Sequence, residues 1–270
     1  MKVLYNDGHV GEIEKEQELH VIRHTAAHIM AQAILRLHPQ AKFAYGPATE
    51  RGFYYDVDLG EEKLSDGDLA AIETEMKKIC KENLPIKTYE LPRQEAIALM
   101  ESRGEVYKVE HIGDLPEDAR ITFYQQGEYI DMCVGPHLTY TKALKAFKVT
   151  QQSGAYWKND SSRQMLTRIN GVAFRNAEEL AEWEKQQQEA RERDTALEME
   201  GKKIREDLKK LAEDRLAAQK RAVGLDRDNE TRQQDVSQTL AELDRAKELL
   251  SGKTKILEEL RLEFSNLNQK

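Results

Sequence analysis

The chain has 270 residues, 39% hydrophobic and 33% charged, with a formal net charge of −8. That length allows one or two domains with real cores, and the polar balance points to extended helix outside a compact globule. The acidic charge excludes a broad basic footprint for nucleic acid, so any RNA contact must use local basic clusters or charge from a partner.

Residues 1–18 are short, charged and weakly patterned, and Asn6-Asp7-Gly8 is a turn signal for a small hairpin. From Leu19 to Leu37 the spacing of Ile22, Ala26, Ile29, Ala33 and Leu37 predicts an amphipathic helix, stopped by Pro39. Lys42–Pro47 and Arg51–Leu59 read as strands joined by a turn. Ser65 and Asp66 can cap a helix through Leu69, Ile72, Met76 and Ile79, and Pro92 opens another with Ala96, Ile97 and Met100. Strand character returns at Val106–Val109, Ile121–Tyr124, Tyr129–Cys133 and Phe147–Val149. Two more strands are expected at Ser153–Trp157 and Met165–Ile169, around the turn Asn159-Asp160-Ser161. Helices and strands intersperse without a βαβ rhythm, which predicts an α+β fold.

After Asn176 the composition changes to Glu, Lys, Arg, Gln, Ala and Leu, with no proline. Val236, Leu243, Leu250, Leu257 and Phe264 fall seven apart. Of the companions, Leu240 fits the seam and Lys247 and Thr254 do not, while Leu260 and Leu267 restore it. Ile204, Leu208, Leu211 and Leu216 look similar. The pattern predicts two long coiled-coil-like helices interrupted at Val223–Asn229. They either fold back as an antiparallel hairpin or run on as one helix paired with another chain.

Two pairs carry the chemistry. His24 and His28 stand four apart on the predicted helix and share a face. Cys133 and His137 have the same spacing, but Gly135-Pro136 between them excludes a regular helix and turns His137 back. Asp131 lies on the same strand face as Cys133. One HxxxH alone reads as two packed or hydrogen-bonded histidines; two such pairs make a site. His24, His28, Cys133 and His137 could bind zinc. Without metal, the imidazoles and Lys108 could hold a water for attack on an ester. Cys133 as a nucleophile beside a histidine is a third, weaker arrangement, having no identified oxyanion hole. Cys80, in a helical pattern, reads as a small buried hydrophobe. Two cysteines in such unlike contexts make no disulfide framework. The Met1–Tyr5 start lacks a long apolar run, so a cytoplasmic protein with no membrane span is expected. No phosphate loop, nucleophile elbow or CxxC occurs, so ATP-dependent chemistry has no visible support.

Ile22–His28, Tyr45-Gly46-Pro47, Gly52–Asp56, Tyr107-Lys108-Val109 and Tyr129–His137 together resemble the editing domain of threonyl-tRNA synthetase. So do Ser153–Trp157 and Gln164–Gly171, in the same order. The wider superfamily includes alanyl-type editing domains with the same HxxxH and CxxxH pairs. The resemblance implies a two-layer α+β domain with an antiparallel or mixed sheet and packed helices. It spans residues 19–195, after a short segment 1–18 and before a helical tail 196–270. It implies hydrolysis of a mischarged tRNA, above all Ser-tRNA(Thr), as an enzyme acting in trans. His24, His28, Cys133 and His137 would line the pocket, Lys108 and His24 would position or activate water, and Tyr55 and Asp131 would contact substrate. The threonyl-type motifs favour a site that needs no cofactor, with zinc possible as in alanyl-type relatives. Tyr156 and Trp157 read as core, or as a platform for the terminal adenine.

Departures limit the resemblance. Only a vestige of the small preceding domain fits residues 1–18. Thr195 stands after Glu192-Arg193-Asp194 where a histidine is common, and the likeness stops near Gly201. No class II aminoacylation domain is expected within this chain, so it should not charge tRNA by itself. The tail is expected to be a solvated coiled coil, a dimer arm, a dock for a protein partner or a tRNA contact. The rival functions are a non-catalytic adaptor binding tRNA or an amino acid, and a zinc-dependent alanyl-type hydrolase.

Overall fold

The computed structural model describes residues 1–223 and 229–267. The chain divides into two compact units, Met1–Glu182 and Trp183–Lys270. Among the described residues there are six α-helices and three antiparallel sheets, the expected α+β class.

In the first unit, β1 (Lys2–Leu4) and β2 (Val10–Glu12) form the hairpin signalled by Asn6-Asp7-Gly8. Tyr5 N–H donates to His9 O at 3.0 Å, and Gly8 takes a left-handed φ of 85°. β1 also pairs with β8 (His137–Leu138), giving the order β2-β1-β8. A second sheet has the order β3-β4-β10-β9, from β3 (Lys42–Phe43), β4 (Phe53–Asp58), β9 (Ala146–Tyr156) and β10 (Met165–Phe174). A third has the order β5-β6-β7, from β5 (Ile86–Leu91), β6 (Ile121–Gln126) and β7 (Tyr129–Met132).

Helices α1 (Lys15–Leu37) and α2 (Asp66–Glu82) form a layer against the four-stranded sheet. The reciprocal Ser65/Asp68 capping box starts α2, and Asn83 in the left-handed region ends it. Ile29, Met30 and Ile34 of α1 share a core with Phe43, Phe53, Tyr55 and Val57 of the sheet and Ile72, Met76 and Ile79 of α2. From Val21 to Ile34 every residue of α1 is buried except His24, which keeps partial exposure. The helix is therefore embedded rather than amphipathic over that span. Ala26, Ala27, Ala31 and Ala33 keep it thin enough for neighbours to close around it. Arg23 is held by the carbonyls of Thr49 (3.1 Å), Glu50 (2.7 Å) and Ala173 (3.4 Å).

The expected strand at Val106–Val109 is instead part of helix α4 (Val106–Asp114), after α3 (Arg93–Ser102). Gly104, with φ 73°, ends α3. Tyr107, Lys108 and Ile112 are then buried at helical spacing while Val106 faces solvent. The β-branched residues there mimic a strand, but burial follows the helical period. β5 has no counterpart among the expected strands. The two strands expected at Phe147–Val149 and Ser153–Trp157 are one strand, β9. It stops before Trp157, in a short 3₁₀ turn with Lys158 and Asn159 left-handed.

The second unit comprises most of α5 (Ala177–Val223) and α6 (Asn229–Leu267). On α6 the residues withdrawn from solvent are Arg232, Val236, Thr239, Leu240, Leu243, Ala246, Leu250, Lys253, Leu257 and Leu260, which apart from the adjacent Thr239 and Leu240 fall in steps of three and four. On α5 they include Leu197, Gly201, Ile204, Leu208, Leu211, Arg215 and Ala218. The two rows run antiparallel: Lys253 pairs with Glu200, Leu257 lines a groove with Leu197, and Asp235 lines another with Ala218. The companions of the sevenfold series are thus Thr239 together with the expected Leu240, then Ala246, Lys253 and Leu260. Lys247 and Thr254 face solvent, and Leu240 is half-buried. The expected break within Gly224–Asp228 and the side chain of Leu267 lie outside the described residues. Among the described residues, no helix is long and apolar enough to cross a membrane.

Candidate active site

Three elements of the first unit, α1, β7 and β8, position the histidines and the cysteine of the site. The buried stretch of α1 presents His24 and, one turn on, His28. β7 carries Tyr129 and Asp131 on one face and leads to Cys133; the cis Gly135-Pro136 turn then returns the chain as β8 with His137. The expected convergence is present. One side-chain donor atom from each of His24, His28, Cys133 and His137 lies within 4.8 Å of all the others. The ring centroids of His137 stand 4.2 Å from those of both His24 and His28. Cys133 Sγ and His137 Nε2 are 3.1 Å apart.

Beside this cluster lies a buried polar network. Lys108 Nζ is 2.5 Å from Asp131 Oδ1 and donates to Tyr55 Oη at 2.9 Å. Tyr55 and Tyr129 donate to Asp131 Oδ2 at 2.5 and 3.1 Å. His28 Nε2, 3.4 Å from the same oxygen, links network to cluster. Tyr55 and Asp131 are 0% and 2% exposed, so they form the floor of the site, while His24 and Cys133 keep partial exposure. The loop Tyr45-Gly46-Pro47 crosses the Tyr55 ring so closely that a Cβ on Gly46 would fall 2.2 Å from it.

Burial controls the protonation states. It drives His24 down to about 3, helped by the neighbouring His28. It drives His28 down to about 4 despite the opposing pull of Asp131. His137 is pushed well below its ordinary value by burial and then by the other two imidazoles. Burial also raises the Cys133 thiol. Asp131 goes the other way: burial would raise it, but the Lys108 charge, His28 and the hydrogen bonds from Lys108 and Tyr55 hold it well below the usual carboxylate range. At neutral pH the site therefore offers three neutral imidazoles, a protonated thiol and a fixed anion. A protonated thiol is a poor nucleophile, which argues against a cysteine-centred reaction.

The donor set also suits zinc. Tetrahedral coordination by three imidazoles and a thiolate needs donors roughly 3.3–3.8 Å apart. The observed spread, up to 4.8 Å, would have to contract around an ion.

Sequence reasoning missed Tyr129, Thr25 and Tyr124. Thr25 Oγ1 accepts the Leu138 N–H at 3.0 Å and lies 3.1 Å from His137 Nδ1, so α1 grips β8 and sets the imidazole. Tyr124 packs on the His137 ring at 4.4 Å. The signal for Tyr129 was available: it precedes Asp131 by two residues on the same strand face. Of the two aromatic candidates, Trp157 is in a small core with Tyr107 and Leu166, and Tyr156 is 44% exposed.

Residues 121–170 match the family described as "Threonyl and Alanyl tRNA synthetase second additional domain". The matched stretch includes Asp131, Cys133 and His137. Similar curated proteins include a threonine–tRNA ligase of Clostridioides difficile, 51% identical over 183 residues, covering 68% of this chain and 28% of that protein. Another, from Carboxydothermus hydrogenoformans, is 49% identical over 181 residues, covering 67% and 28%. A third, from Geobacillus sp., is 48% identical over 193 residues, covering 71% and 30%. The chain thus spans less than a third of the length of these relatives.

Proposed function

Because this chain carries the second additional domain of threonyl and alanyl tRNA synthetases, we propose that it hydrolyses mischarged aminoacyl-tRNA, with Ser-tRNA(Thr) as substrate, acting in trans. One observation carries the reading: three imidazoles and a thiol converge beside a buried Lys108–Asp131 pair, around a partly exposed His24. The scissile bond is an ester between serine and the terminal ribose. Its hydrolysis needs a positioned water and a group to take that water's proton. Neutral His24 accepts the proton as the water oxygen bonds to the carbonyl carbon. The carbon–oxygen bond to the ribose then breaks, and the proton passes to the leaving oxygen. Lys108 orients the water and stabilises the developing oxyanion. His28, Cys133 and His137 wall the pocket, and Asp131 with Tyr55 receives the polar groups of serine.

A zinc-dependent reading is favoured by the four-donor cluster. An ion held by His24, His28, Cys133 and His137 would polarise water or the carbonyl as a Lewis acid. Stoichiometric metal by elemental analysis, with activity lost on chelation, would support that reading. Retained activity in metal-free protein would remove it.

The deciding assay follows release of serine from Ser-tRNA(Thr) by the full chain, with Ala-tRNA as rival substrate. Rapid release from the first, lost in His24→Ala, is expected. Equal slow release by both proteins, with tight tRNA binding, would favour an adaptor instead.

A further inference from the structure

The hairpin β1–β2 lies at the edge of the residues assigned above, yet it is the strand partner of the site's own histidine. Leu4 stands opposite His137 and Val3 opposite Leu138 in antiparallel register. The Leu4 side chain packs with Ile86 and Tyr124, and Cys133 rests against that group. At the hairpin's turn, Tyr124 Oη donates to Asn6 Oδ1 at 2.8 Å, with Leu4 O a second acceptor at 3.3 Å. The turn between Cys133 and His137 passes directly over this bond. A Cβ on Gly135 would lie 2.1 Å from Tyr124 Oη and 2.9 Å from Asn6 Oδ1.

We propose that the N-terminal hairpin is a positioning element of the site. Asn6 and Tyr124 latch it beneath Gly135, so that pairing of Leu4 with His137 holds the imidazole and the Cys133 thiol against α1. The catalytic consequence rests on the hydrolase reading above; the positioning itself does not. His137 sits on a two-residue strand, too short to fix a ring by itself. It is gripped from one side by Thr25 of α1 and from the other by β1. Releasing the β1 side lets the Cys133–His137 turn open locally while the main core stays shut.

The test uses the full chain with Asn6→Ala, Tyr124→Phe, the conservative Asn6→Asp, and Val10→Thr on exposed β2 as control. Two readouts are taken. The first is the alkylation rate of Cys133 under native conditions, followed peptide by peptide with buried Cys80 as internal reference. The second is the kcat and KM for Ser-tRNA(Thr). Loss of one net hydrogen bond should raise Cys133 alkylation about fivefold in Asn6→Ala and Tyr124→Phe. Asn6→Asp, which keeps an acceptor, and Val10→Thr should stay near wild type. kcat should fall by a similar factor with KM unchanged. Unchanged Cys133 alkylation in both latch variants would overturn the proposal, as would a parallel rise at Cys80, which would mean a general loosening. Should wild type release no serine, the hydrolase reading falls while the alkylation rates still decide the latch.

Discussion

The two units of this chain use charge in opposite ways. In the first, Lys108 and Asp131 are an ion pair with side chains 7% and 3% exposed, tied to two tyrosines. In the second, Lys253 and Glu200 pair with side chains 40% and 47% exposed. The first pair has no water to fall back on, so each member depends on the other. The second can exchange its partner for solvent at little cost. Burial follows the same division. Among the described residues of the second unit only Ala190 and Leu243 are buried, whereas the first encloses α1 from Val21 to Ile34 at every residue but His24. The perturbed protonation states of the candidate site are products of the first unit's burial.

Removing one member of each pair tests this contrast most directly. Asp131→Ala leaves Lys108 buried without a counter-charge and should cost about 3–5 kcal/mol of unfolding free energy. Glu200→Ala should cost less than about 1 kcal/mol. Urea denaturation of both variants measures the difference; equal losses would erase the distinction. At the site itself, His24→Ala should lower deacylation about 10²- to 10⁴-fold while changing the urea midpoint far less than Asp131→Ala does, because His24 alone between Val21 and Ile34 keeps partial exposure. A drop in activity matched by a drop in stability would place His24 among the packing residues.

How much of this was legible in the sequence depended on how locally each residue's role is set. His24 and His28 share a helix face by spacing alone, and Asp131 and Cys133 share a strand face by alternation, so both halves of the cluster could be read. Lys108 was expected on a strand and stands on a helix, because Val106 and Val109 imitate strand composition within it. Thr25 gave no signal. Its partners, His137 and Leu138, are more than a hundred residues away, and nothing local distinguishes a hydroxyl that grips a distant strand. The hairpin at Asn6–Gly8 was readable as a turn, but its pairing with β8 was not, for the same reason.

Acid should separate the units further. His24 and His28 have folded-state values near 3 and 4, and His137 is lowered as well. Unfolding frees these groups to bind protons near pH 6.5, so between about pH 6.5 and 3 the unfolded state holds more protons. The stability they contribute is complete above that range and is lost as pH falls through it. All seven histidines precede residue 138, so the second unit has none of these groups. Moving from pH 7.5 to 5 should lower the urea midpoint followed by Trp157 fluorescence in a Trp183→Phe background. The midpoint followed by Trp183 in a Trp157→Phe background should move less. Equal shifts would mean that the buried imidazoles are not what acid attacks.

The smallest expected effect concerns the phase of the seam on α6. If Lys253 is a true member of the inward row, Lys253→Leu gains apolar burial and gives up only an exposed pair with Glu200, for a net stabilisation of about 0.5–1 kcal/mol. Thr254→Leu, one position on and facing solvent, should change thermal stability by less than about 0.5 kcal/mol. The sequence reading followed only the row four residues on from Val236, Leu243 and Leu250, which meets Leu240, then Lys247 and Thr254; the row three residues on meets Thr239, Ala246 and Lys253. A larger gain from Thr254→Leu would reverse that phase and turn Lys253 outward. The interior row would then be the one that a single leucine at 240 suggests.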